Sequence, residues 1–102
     1  MFILQRADES KILSVNIKDI DFELNQLNLF DNTFFVVLNE DKVGSFFQCA
    51  KSSDDKYIIE VKINKKLYQY SKVLDYEKTL YWADMFLKSD ICIDRNWLQQ
   101  IF

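Results

Sequence analysis

Sixteen carboxylates and no histidine stand in a chain of 102 residues, and that combination limits the chemistry these side chains can attempt. Two acids at the right separation can share acid/base work, as in glycoside hydrolysis, but at this density some pair lies close by composition alone. Without histidine the commonest general base near neutral pH and the commonest metal ligand are both missing, so a Ser/His/Asp triad is excluded. The single glycine, Gly44, cannot build a phosphate-cradling loop. Cys49 and Cys92 stand too far apart for a zinc knuckle or a Cys-x-x-Cys redox pair. They are expected to be two buried free thiols, with a disulfide between them left open. The expectation is a protein that binds rather than transforms, with no cofactor and no metal.

The residues with binding chemistry fall into two groups. Asp19, Asp21 and Glu23 lie on one amphipathic segment, where carboxylates steer a basic partner through long-range attraction. Phe46, Gln48, Ile58, Glu60 and Lys62 alternate with inward-facing neighbours and share the outer side of a sheet. Tyr68 and Tyr70 join them if the strand Leu67–Val73 has the matching phase, which alternation in so aromatic a strand leaves open. Such a mixed surface suits a protein interface. The plainer alternative is that another element covers this side. Trp97 is expected to anchor the C-terminal turn, because large aromatics bury where they can. The Tyr57–Tyr70 region also offers Lys56, Lys62, Lys65 and Lys66 beside tyrosines, the makings of a nucleic-acid platform. A net charge of −3 argues against that use, and no nucleic acid is expected as partner.

The elements that position these residues follow from periodicity. Apolar alternation at Thr33–Asn39, Ser45–Ala50, Tyr57–Ile63 and Leu67–Val73 gives four closely spaced strands, with Phe2–Gln5 and Lys11–Val15 as two more. Tyr57, Ile59, Val61 and Ile63 point together toward the helices. Gly44, Ser52-Ser53-Asp54-Asp55 and Asn64-Lys65 supply the turns. Ile17, Ile20, Leu24 and Leu27 form the stripe of a helix over 17–28 capped by Asn16, and Tyr76, Leu80, Ala83 and Leu87 that of a helix over 75–89 capped by Asp75. A short helix at 94–101 is expected to return Trp97, Leu98 and Phe102 to the body. The sum is an α+β fold: an antiparallel meander of four to six strands with helices packed on one face, in one domain spanning residues 1–102.

At 49% hydrophobic and 28% charged residues the composition is that of a folded globule, and no apolar run approaches the roughly 20 residues that span a bilayer. The N-terminus carries no positive charge ahead of its apolar stretch and no small-residue cleavage site, so a cytoplasmic location without membrane contact is expected. Acids concentrate in the helical segments, through Asp19, Asp21, Glu23 and Asp31 and again through Asp75, Glu77, Asp84, Asp90 and Asp94. The Lys51–Lys66 strand region is mildly basic.

Several of these segments, read together, resemble a known family. They are Asp19-Ile20-Asp21-Phe22-Glu23-Leu24, the strand Phe34–Leu38, Ser45-Phe46-Phe47-Gln48-Cys49-Ala50, Tyr57-Ile58-Ile59-Glu60-Val61, and Tyr76 through Phe86-Leu87-Lys88-Ser89-Asp90 with Trp97 beyond. This series, over residues 17–102, is similar to small immunity proteins of bacterial polymorphic toxin and contact-dependent inhibition systems. Ser89-Asp90 stands where the family has Gly-Asp, and the proline often found before its first helix is absent. The resemblance implies a cytoplasmic inhibitor that binds and blocks a cognate toxin domain, with a basic, nucleic-acid-targeting toxin matching the acidic helices. It would exist alone as a monomer or weak homodimer. A small non-enzymatic adaptor or structural subunit that self-associates through its sheet face is the alternative.

Overall fold

A computed structural model describes residues 1–29 and 33–100. The chain opens with a hairpin of β1 (Phe2–Arg6) and β2 (Lys11–Leu13), whose turn is tied by the Asp8 carboxylate accepting from the Ser10 amide and hydroxyl. Helix α1 (Ile17–Leu27) starts at a reciprocal cap: Asn16 Oδ1 accepts from the Asp19 amide while the Asp19 carboxylate accepts from the Asn16 amide. Two orphan donors of the first turn are thereby satisfied. Strands β3 (Phe34–Asn39), β4 (Phe46–Ser53), β5 (Lys56–Ile63) and β6 (Lys66–Tyr70) then run as an antiparallel meander. Gly44 takes φ +80° in the first connection, and Asn64 and Lys65 both adopt positive φ in the last, the twist that a two-residue hairpin requires. A two-residue strand β7 (Leu74–Asp75) pairs with β5 and leads into α2 (Tyr76–Leu87), with Asp75 accepting from the Lys78 amide as N-cap. The chain closes with β8 (Trp97–Gln100) against β6.

The sheet order is β2-β1-β3-β4-β5-β6-β8, with β7 beside β5. One side of it forms the core: Leu4, Phe35, Val37, Phe47, Cys49, Tyr57, Ile59 and Val61 are fully buried beneath Ile20 and Leu24 of α1 and Ala83 and Phe86 of α2. Phe86 meets the rings of Phe2 and Phe47, and the Tyr57 hydroxyl donates to the Leu24 carbonyl at 3.3 Å. Both helices thus lie on the same face, as expected for this α+β fold.

The sheet is larger than periodicity predicted, by β7 and β8. Where a helix was expected over 94–101, residues Trp97–Gln100 form an edge strand, because Trp97 is buried and Leu98 exposed in alternation and the free edge of β6 offers the backbone partners. Phe102 lies outside the described residues. Cys49 is buried, where loss of water pushes its thiol pKa up, but Cys92 is exposed rather than buried; both are free.

Helix α2 ends with Ser89 at φ +58° and the Asp90 amide donating to the Met85 carbonyl. That is the left-handed C-terminal stop glycine usually fills. Ser89→Gly is therefore expected to raise stability by about 0.5–1 kcal/mol, read as a higher urea midpoint at unchanged m-value.

Candidate functional site

Two surfaces can bind, and each reorganises what alternation and charge suggested. Pairing places Phe46 opposite Lys62 and Gln48 opposite Glu60 across β4 and β5, with Ala50 opposite Ile58. These residues lie on the side away from the helices, all half-buried, so Phe46, Gln48, Glu60 and Lys62 share one face as expected. Tyr68 and Tyr70 do not. Tyr68 pairs with inward-facing Val61, and Tyr70 packs its ring 5.6 Å from Trp82 and 5.0 Å from Trp97 on the helix side. The two-residue turn at Asn64-Lys65 sets this register, and it delivers Leu67 and Gln69 to the outer face instead. No described element lies over that face. Its rows run from Leu13, Ile3 and Leu38 through Phe46 and Lys62 to Leu67, and from Lys11 at the β2 margin, Gln5 and Val36 through Gln48 and Glu60 to Gln69.

The three acids of α1 have three different fates. Asp19 is committed to the capping box. Glu23 is buried, and its Oε1 accepts from both Nε and Nη2 of Arg6 at 2.9 and 2.5 Å. It is therefore a structural ion pair and not part of an exposed steering surface. Asp21 lies half-buried at the surface, outside both the cap and the ion pair, and the fold gives it new neighbours. Helices α1 and α2 lie side by side, locked where the Tyr76 hydroxyl donates to the Asp21 carbonyl at 3.1 Å. Between them runs an open groove of about 560 Å³ with Ile17, Tyr76, Leu80 and Tyr81 along it and Asp21, Glu77 and Asp84 as its charges. Asp84 also holds Lys88 at 2.8 Å one turn further on, and this bond raises the lysine pKa. Tyr81 is 53% exposed, and its apolar ring with a polar tip is of the kind that a docking partner can cover.

Sequence reasoning missed Glu77, Tyr81 and Asp84 as one group. Their spacing carried a signal, since positions 77, 80, 81 and 84 share one side of a helix. What it could not supply was Asp21 across the groove. Among the described residues no cluster of acids and thiols is arranged to hold a metal ion, and no helix is long and apolar enough to cross a membrane. Comparison with family models, with curated proteins and with solved structures finds no match.

Proposed function

We propose that this chain is an immunity protein: a cytoplasmic, non-catalytic and cofactor-free inhibitor that binds a basic bacterial toxin domain and blocks it by bulk and charge. The observation that supports this reading is the groove between α1 and α2, where three carboxylates border an apolar floor and an exposed tyrosine. Carboxylates at the rim accelerate encounter with a cationic surface, and an aromatic that becomes buried on docking slows escape. A toxin that acts on nucleic acid needs a basic cleft, and a groove of opposite sign can occupy it. The resemblance of residues 17–102 to immunity proteins supports the same reading.

Genomic context and co-expression test it: a toxin-domain gene should lie beside this one, cells that express both should survive, and the two chains should copurify. In that complex Asp21→Asn, Glu77→Gln and Asp84→Asn combined should slow association about tenfold at low salt and flatten its salt dependence. Tyr81→Ala should leave association nearly unchanged and speed dissociation about tenfold. No protection, together with neighbouring genes for assembly or metabolism, would favour the second reading, a small structural subunit. The uncovered sheet face is the observation on that side.

A further inference from the structure

We infer that two copies of this chain pack face to face through the uncovered side of the sheet, Glu60 of each copy against Lys62 of the other. Strand β3 carries the first indication. Phe34 through Leu38 are apolar at every position, the pattern of a strand covered on both sides, yet the chain's own helices cover only the side of Phe35 and Val37. Phe34 keeps 38% of its surface exposed, and Leu13 and Leu98 at the two margins of the same face keep more than half of theirs.

Size and charge then select the occupant. Seven adjacent strands at about 4.8 Å spacing, with outward residues recurring every 7 Å or so, present a footprint on the order of 600 Å². Two such faces bury about 1,200 Å², which reaches the range of specific interfaces. Glu60 and Lys62 sit inside this area, half-buried, flanked across the strands by Gln48 and Gln69 and by Phe46 and Leu67. Among the described residues neither has an ion-pair partner. An apolar lid would strip water from both charges and return nothing, whereas an occupant with a cation and an anion at the same spacing in reversed order returns two ion pairs. This chain carries that pair of charges. A two-fold axis lying in the interface and crossing β5 between these residues reverses the strand direction and sets Glu60 over Lys62 of the second copy, and Lys62 over its Glu60. Each contact occurs twice, as in any isologous interface, and the two sheets stay aligned within the roughly 30° that sandwiches adopt. Both α1–α2 grooves then face outward, one on each side of the dimer. The dimer does not depend on the toxin reading.

Analytical ultracentrifugation of the full chain tests it. The wild type should form a dimer in the micromolar range. Glu60→Lys and Lys62→Glu should each weaken self-association by about 30-fold or more, since one exchange creates two like-charged contacts. The double exchange Glu60→Lys with Lys62→Glu should restore it to within about threefold, because both copies change together. That rescue separates a second copy from any foreign partner, for which the double exchange remains mismatched. A wild type that stays monomeric at about 100 μM, well above the micromolar range, overturns the inference without any variant. So does a dimer insensitive to the single exchanges, or one that the double exchange does not restore.

Discussion

Arg6→Met is expected to destabilise the fold by about 2–3 kcal/mol, because it leaves Glu23 as an unpaired charge in the core. The Glu23 side chain is only 4% exposed, and Arg6 at the end of β1 meets it with two donors on one oxygen. The hydrogen bond to Glu23 raises the guanidinium pKa further, so the pair stays charged over the whole accessible pH range on the arginine side. Arg6 keeps 34% of its own surface in water, which screens the pair and places the loss below the roughly 3–5 kcal/mol of a fully enclosed bridge. The double replacement Arg6→Met with Glu23→Leu removes both charges and fills the space with apolar atoms. It should recover most of the loss, as buried pairs exchanged for apolar residues commonly do. Urea unfolding of the four proteins in the cycle measures this directly. If the double variant is no better than Arg6→Met alone, the pair is not what holds α1 against β1. The consequence reaches the groove, since α1 carries Asp21 to its rim.

Glu23 also shows how far the sequence could be read. It follows Ile20 by three positions and precedes Leu27 by four, so it lies on the apolar stripe of α1 and not on the polar side. Arg6 follows Phe2 and Leu4 at the strand period of two and points inward with them. Each half of the pair was therefore legible; their meeting was not, because it depends on where α1 crosses the sheet. The phase of β6 was legible too, through the two-residue turn at Asn64-Lys65, which fixes the register that alternation alone leaves open. The meander, both helices and both N-caps follow from local pattern, since alternation, a 3.6 period and a capping side chain act within a few residues of each other. Strand β8 does not. Trp97–Gln100 is too short for its period to decide between helix and strand, and its partner β6 lies more than 25 residues earlier in the chain. The same limit hides the groove, whose two rims come from α1 and α2 and meet only after both have docked on the sheet.

Trp97→Ala should cost about 3–4 kcal/mol, the loss typical of truncating a buried large aromatic, while Trp97→Phe should stay within about 1 kcal/mol of wild type. The indole is 5% exposed and packs edge-on between Tyr70 at 5.0 Å and Trp82 at 5.1 Å. It is thus the joint between β8, β6 and α2, and alanine would open a cavity that three elements line. Its Nε1 is buried with no hydrogen-bond partner among the described residues. A donor left in that state costs about 1–3 kcal/mol, so phenylalanine loses ring area but also removes the unsatisfied group, and the two effects oppose each other. Equal damage from both replacements would mean that the indole's full width, and not only an aromatic ring, is needed at this joint. The effect should extend beyond stability. Trp82 touches Trp97 on one side and Tyr81 on the other, at 5.4 Å, so a loosened Trp97 lets Trp82 shift and takes Tyr81 from its place beside the groove. Trp97→Ala should then weaken partner binding at a temperature where the protein is still folded, whereas Trp97→Phe should bind nearly as wild type. Binding lost in parallel by both variants would disconnect the tryptophan joint from the groove.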